Sequence, residues 1–329
     1  MEKNEYRELR KAVMLVSAAI VITILTIILT RSESMRKPVS PIPSKPMTAA
    51  SAGGWREVLR IKLDNNEFTA VAVDDQNKIY AGMKSPKNGT CRIAIFGHDG
   101  KLLETIPLES QVLSIATTPD GVIYAATENQ ISAISPVVGK RNIKKWQFPG
   151  SKTILTSVAA DDKHVFAADA GNRLVYVYDH DGKLVNTVKG NDGFKIPSPY
   201  FDVASDGNGG FWAADTGRHR LENYTAAGRF IAMWQAEKDN AFSGCCNPAH
   251  FQLMSKGRIV TSEKGFVRIR VFGPDGKLEG EVCSPEEFVP GSVSGHNIAV
   301  DSKDRIIVMD PDEKALRIFV HEKNKGNVQ

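Results

Sequence analysis

The residues best suited to do chemistry crowd into one short stretch, Phe242-Ser243-Gly244-Cys245-Cys246-Asn247-Pro248-Ala249-His250. Adjacent thiols can close a vicinal bridge, hold a metal as thiolates together with His250, or stay reduced. Cys91 and Cys283 complete the chain's four cysteines, too few in 329 residues for a disulfide scaffold. In an oxidising compartment the simplest single bridge would join Cys283 to Cys245 or Cys246. A second set is Asp202, His250 and Asn297, spaced 48 and 47 residues apart. Oxygen and nitrogen donors of this kind could hold one divalent metal ion, with the metal activating water, or could line a hydrogen-bonded channel. No short spacing such as H-x-x-x-H forces the metal. Glu263 joins the ligand-binding candidates because Glu263-Lys264-Gly265 replaces the Asp-x-Gly found at Asp169 and Asp215. The ordinary role of an acid at that place is to accept hydrogen bonds from turn amides, and Asp169 and Asp215 are expected to do so.

These residues recur at equivalent places of a repeat. Sixteen-residue segments starting at Phe68, Val112, Tyr200, Pro248 and Gly295 align without a gap, and one starting at Leu155 fits with a residue fewer; the starts are 44, 43, 45, 48 and 47 residues apart. Each unit opens with two apolar runs around a turn such as Pro119-Asp120-Gly121, and a second hairpin turning at Asp-Gly follows. Four strands per unit and six units make an all-β chain, a six-bladed β-propeller. The sixth unit stops one strand short. Residues 55 to 63, WREVLRIKL, are placed to supply the missing strand by pairing with residues 316 to 320. Position three of the repeat holds Ala70, Ser114, Ser157, Asp202, His250 and Asn297, and position sixteen holds Met83, Thr127, Asp169, Asp215, Glu263 and Asp310.

The A-x-D-x-x-G-x-I-Y-x-A-D run, the R-[IL]-x-V-[FY] run and the turns at Asp99, Asp181 and Asp275 followed by Gly-Lys-Leu resemble the NHL-repeat propellers, over about residues 55 to 322. A more distant similarity is to the gluconolactonase-like propellers. The resemblance implies that first strands begin on one face at the central channel and second strands return to it, so both rings of positions, and all four cysteines, share a rim. It also implies a polar pocket at that channel mouth, and a metal held by a Glu at the first blade and by Asn and Asp around the channel. Glu67 is the nearest match to that Glu, and His296-Asn297-Ile298-Ala299 departs from the expected Asn-Gly-Ile-Ala.

Outside the repeats, residues 12 to 30 form a 19-residue run without a charge, roughly 28 Å as a helix, close to the hydrocarbon thickness of a bilayer. It exceeds a signal-peptide core, and no small-x-small site follows, so an uncleaved anchor is expected. Residues 1 to 11 are a short tail, 31 to 54 a Pro-rich tether, and 323 to 329 a disordered tail. The first 54 residues carry 8 basic and 4 acidic side chains of totals of 42 and 38, leaving 34 of each sign in the body. That balance removes the basic stripe that nucleic-acid binding needs. Asn88 and Asn223 each begin a three-residue glycosylation sequon, too short a pattern to carry weight. Basic residues flank the anchor on both sides and leave its orientation open. Anchor and cysteine loop together lead to a single-pass membrane protein with an extracytoplasmic propeller, binding a protein or small molecule on its cysteine-bearing face. The rivals are a metal-dependent hydrolase or lyase using Asp202, His250, Asn297 and Glu263, and a redox accessory protein using Cys245 and Cys246.

Overall fold

The computed structural model describes residues 53–62, 66–137, 141–148 and 152–322. The expected anchor at 12–30, the tether as far as residue 52 and the tail at 323–329 lie outside the described residues. Among those described, no helix is long and apolar enough to cross a membrane.

Strand β1 (Trp55–Lys62) precedes the first blade, which comprises β2 (Glu67–Val73), β3 (Ile79–Lys84), β4 (Cys91–Phe96) and β5 (Leu102–Leu108). Blade 2 is β6 (Ser114–Thr117), β7 (Ile123–Ala126), β8 (Gln130–Ile134) and β9 (Ile143–Gln147). Blade 3 is β10 (Leu155–Ala160), β11 (His164–Asp169), β12 (Leu174–Asp179) and β13 (Leu184–Val188). Blade 4 is β14 (Val203–Ser205), β15 (Gly210–Asp215), β16 (Arg220–Thr225) and β17 (Phe230–Trp234). Blade 5 is β18 (His250–Leu253), β19 (Ile259–Glu263), β20 (Arg268–Phe272) and β21 (Leu278–Cys283). Blade 6 takes β22 (Ile298–Val300), β23 (Ile306–Asp310) and β24 (Ala315–His321) from the end of the chain and β1 from its beginning. The molecule is a six-bladed β-propeller.

Local sequence explains the blades. Middle strands such as β11, HVFAAD, are buried from Val165 to Asp169 because both faces of each sheet are covered, which calls for an apolar run rather than alternation. Outermost strands face solvent, and β13 exposes Leu184 and Val185. At the Asp-Gly turn between β12 and β13, Gly182 takes a φ of +82°, which an L side chain resists. Asp179 Oδ1 stabilises that turn by accepting the N–H groups of Asp181 at 3.0 Å and Lys183 at 2.8 Å. The hydrophobic clusters lie between neighbouring blades; one, for example, joins Phe166, Val175 and Val177 of blade 3 to Phe201, Phe211 and Tyr224 of blade 4.

Ring closure follows the missing-strand argument. β1 runs antiparallel to β24, with Arg56 opposite Val320, Ile61 opposite Leu316 and a bulge between Glu57 and Leu59. Leu63, the last residue expected in that strand, is outside the described residues. Trp55 packs with Val282 and Phe288 of the blade 5 side, while Ile61 packs with Ile79 and Phe96 of blade 1. A charge cluster fastens the same seam. Arg317 of β24, only 2% exposed, donates from Nε to Glu57 Oε2 at 2.9 Å and from Nη1 to the Glu287 carbonyl at 3.0 Å. Its Nη1 also stands 3.4 Å from Asp310 Oδ2. Arg60 adds two bonds to Glu57, at 2.6 and 2.8 Å.

Burial opposes ionisation of Glu57, but Arg60 and Arg317 outweigh it and hold the carboxyl below its usual range. Asp310 is held low as well, with burial again overcome by hydrogen bonding, the Glu313 amide among the donors, and by the charge of Arg317. Carboxyls lowered in the folded state stabilise it fully above their unfolded pKa and lose that contribution as pH falls through the lowered folded values. Urea melts of the propeller should therefore show stability falling with acidification below about pH 4. Glu57→Gln should be less stable at neutral pH by about 2 kcal/mol and should flatten that acid limb; an unchanged acid limb would mean the seam does not depend on this carboxylate.

Candidate functional site

At position three of the repeat, side chains tie blades 2 to 5 together in succession. Ser114 Oγ accepts the Val158 N–H at 3.0 Å, and Ser157 Oγ donates to Asp202 Oδ1 at 2.5 Å. Asp202 Oδ1 also accepts the Val203 N–H, and its Oδ2 accepts the Phe251 N–H, both at 3.0 Å. His250 Nδ1 stands 3.5 Å from the same Oδ2. The structure thus brings Asp202 and His250 together. Asn297 offers its carbonyl to the Met309 N–H at 2.9 Å, and its side chain is hydrogen-bonded to neither of the other two. Both Asp202 oxygens accept protein donors and Asn297 stands outside the pair, an arrangement that an ordinary hydrogen-bonded channel lining accounts for. Glu67, the possible first-blade ligand, is exposed at the start of β2.

Glu263 stands apart from the channel pair. Its carboxylate is wholly buried and enclosed by two guanidinium groups: Arg268 Nε and Nη2 at 3.0 Å each, and Arg270 Nε at 2.5 Å. Arg270 also donates to the Asn240 carbonyl at 3.0 Å and lies over the Phe242 and Phe272 rings. The longer carboxylate reaches arginines on the next strand rather than a ligand. Asp169 accepts the Ile154 and Asn172 N–H groups at 3.0 Å, and Asp215 accepts the Lys195 N–H at 2.8 Å and Arg218 Nη1 at 2.6 Å. Both act as turn supports.

The cysteines are unbridged in the structure. Cys283 lies in the core shared by blades 5 and 6, fully buried, with its thiol pushed well above the usual range by desolvation. It makes no bridge to the adjacent pair because burial in an apolar cluster removes it from the loop. Cys91 Sγ donates to the Gly89 carbonyl at 3.3 Å. Cys245 is exposed and Cys246 buried, and their sulfurs are 2.8 Å apart, in contact but not bonded. Consecutive Cα atoms sit about 3.8 Å apart, below the usual span of a disulfide, so a bridge here would be strained and easily reduced.

Three residues outside the expected set connect this pair to the channel. Asn247 pins the loop to the turn between β19 and β20: its Nδ2 donates to the Ser243 carbonyl at 2.7 Å and the Lys264 carbonyl at 3.1 Å, while its Oδ1 accepts the Lys264 N–H at 2.9 Å. The Lys264 ammonium lies 4.8 Å from the centre of the Tyr200 ring, and Tyr200 meets His250 edge to face at 5.8 Å. Gly295 permits this approach, since a Cβ there would meet Ala249 Cβ at 2.4 Å. Burial disfavours the Cys246 thiolate, yet hydrogen bonding from Cys245 and the charge of Lys264 win and lower its pKa. The shared proton correspondingly raises the Cys245 thiol. A strip of contacts therefore runs from Cys245 and Cys246 through Lys264 and Tyr200 to His250 and Asp202. Beside it, Phe266 and Val293 are 55% and 62% exposed on loops joined by the Gly265 N–H to Val293 carbonyl bond at 2.8 Å.

One cavity lies away from this mouth. A cavity of about 340 Å³ opens at the opposite end of the channel, lined by Asp74, Met254, Asp301 and Asp304 among others. Three of its four acids are committed to structure: Asp74 accepts the Lys78 N–H at 2.8 Å, Asp301 pairs with Arg305 at 2.5 Å, and Asp304 with Arg258 at 2.5 Å.

The fold and these sites define a six-bladed propeller with an adjacent pair of thiols on one rim. No protein-family profile matches the chain, and no curated protein does. Among solved structures it is similar to a streptogramin B lyase, at 10% identity over 83% of this chain and 99% of that one, with a TM-score of 0.56. A catalytically inactive virginiamycin B lyase variant from Staphylococcus aureus, solved with quinupristin, matches at 10% identity over 81% and 99%, with a TM-score of 0.55. The WD40 propeller domain of Doa1 matches at 14% identity over 83% and 99%, with a TM-score of 0.51. At such identities the likeness establishes the propeller fold alone.

Glu263→Ala strands two arginines, one of them buried, and should lower stability by about 3 to 5 kcal/mol. His250→Ala, on a partly solvated rim, should lower it by about 1 kcal/mol or less. Denaturant melts of the two variants measure this order directly; equal losses would place His250 among the structural supports.

Proposed function

We propose that this chain is a membrane-anchored, extracytoplasmic propeller that binds a protein partner through the rim of blades 4 and 5. The observation that carries the reading is the strip from Cys245 to His250, flanked by exposed Phe266 and Val293. A rim that combines an apolar patch, a cation beside an aromatic ring and a polar channel edge has the composition of a recognition surface. The anchor at residues 12 to 30 would hold the ring at the bilayer surface. A small-molecule ligand is less favoured, because the cavity of about 340 Å³ opens at the other end of the channel.

A second reading, redox accessory function, is favoured by the 2.8 Å separation of the Cys245 and Cys246 sulfurs and the lowered Cys246 thiol. In that reaction the Cys246 thiolate attacks a disulfide of the partner, Cys245 displaces the mixed disulfide to close the vicinal bridge, and the partner leaves as a dithiol.

A photo-crosslinking residue placed at Phe266 of the full chain in native membranes should yield a discrete higher-mass adduct, and one at Asp120 on the opposite face should not. Adducts of equal yield from both positions, or from neither, would remove the rim as the binding surface. In the same cells, a membrane-impermeant maleimide should label Cys245 without lysis and should fail on Cys245→Ser; labelling only after lysis would reverse the orientation.

A further inference from the structure

Blade 6 contains a wholly buried imidazole with one nitrogen, Nε2, that no protein group satisfies. His296 is 0% exposed. Its main-chain N–H donates to Ser262 Oγ of blade 5 at 2.9 Å, and its ring packs on Phe288 at 4.5 Å between centroids. Ring and backbone are therefore fixed. Nδ1 lies 3.1 Å from the Ser294 carbonyl oxygen. A carbonyl only accepts, so Nδ1 carries the proton and donates it. Nε2 is then left with a lone pair, and it is a buried atom with no hydrogen-bond partner. It faces Asp310 Oδ1 at 3.7 Å, another acceptor, too far for a hydrogen bond. Two acceptors pointing at each other in a buried place call for a cation between them.

A third donor is at hand. One ligand atom each from His296, Asp310 and Asp312 lies within 4.8 Å of the others, and this is the group of three such residues found among the described residues. Asp310 is buried and Asp312 is exposed, which supplies both a fixed ligand and a way in. Asp310 keeps a free lone pair on Oδ1 after accepting the Glu313 N–H at 3.0 Å, while Arg317 approaches the other oxygen, Oδ2, at 3.4 Å. Arg317 is in turn engaged by Glu57, so it does not cancel both aspartates.

We propose that His296 Nε2 and the carboxylates of Asp310 and Asp312 bind a divalent transition-metal ion, with the Ser294 carbonyl orienting the imidazole. One imidazole nitrogen with two carboxylates suits zinc and its first-row neighbours, whereas calcium and magnesium prefer oxygen alone. Ligands about 2.0 to 2.1 Å from a tetrahedral zinc stand about 3.4 Å apart, so the 3.7 Å pair needs to close by only a few tenths of an ångström. Exposed Asp312 can swing to complete the set. The ion would join the loop before β22, the end of β23 and the turn into β24, clamping the blade in which the two ends of the chain meet.

The test uses the full chain in detergent in a C245S/C246S background, so that rim thiolates contribute nothing, stripped with chelator and titrated with zinc by calorimetry. One zinc per chain should bind, the melting temperature should rise, and magnesium should do neither. D312N should weaken zinc binding by about tenfold or more, and H296Q should abolish it. D312N alters an exposed residue and remains informative if H296Q fails to fold. Absence of zinc binding, or zinc binding that D312N leaves unchanged, overturns the site. A buried proton on Nε2 in place of a metal would show as a pH-dependent melting temperature with no response to zinc, and would equally overturn it.

Discussion

Everything in this molecule depends on the antiparallel pairing of β1 with β24. A propeller has no single core; its apolar side chains are distributed among the interfaces between neighbouring blades, and the two that flank blade 6 are complete only when the ring closes. Trp55 and Ile61, at the two ends of one strand, complete the cores on either side of blade 6. Leaving β1 unpaired would expose a sheet edge and open both. Arg317 makes the seam specific as well as sticky, because a buried guanidinium is tolerable only with Glu57 and Asp310 beside it. Glu57 arrives from the beginning of the chain and Arg317 and Asp310 from its end, so the charge cluster forms only when the right strands meet.

The repeat leaves little freedom for chemistry at its own consensus positions. Asp169, Asp215, Glu263 and Asp310 occupy equivalent places, and all four are bound to turn amides or arginines. What the repeat does not require is found where loops deviate from it. The loop entering blade 5 carries two cysteines that no strand ladder needs, and Asn247 holds it against the turn that bears Lys264. In the same way, His296 stands where the expected pattern has Asn just before β22, and its Nε2 is a buried atom without a hydrogen-bond partner.

Much of the architecture was legible in the sequence because it is encoded locally. Turn residues such as Gly182 and Asp179 fix each hairpin, and counting strands exposed the missing one and its donor. The site was less legible because its contacts cross between blades. Glu263 read as a channel ligand from its length alone, yet Arg268 lies directly opposite it in the β19–β20 register and Arg270 is two residues on. That R-x-R after a short turn was the available signal. Cys283 read as a bridge partner because alternation cannot reveal that its strand end faces the blade 6 core. Tyr200 and Lys264 carried no signal at all, since their meeting depends on how blades 4 and 5 pack.

The central claim about the rim is that the Lys264 ammonium, held over the Tyr200 ring, lowers the Cys246 thiol. The most direct measurement is the ultraviolet thiolate absorbance of the full chain as a function of pH, for the parent and for Lys264→Met. The account predicts that one thiol of the parent ionises below the ordinary cysteine range and that Lys264→Met moves this transition upward while the fold persists. A parent whose thiols all ionise at or above the ordinary range, or a transition indifferent to Lys264→Met, would contradict it.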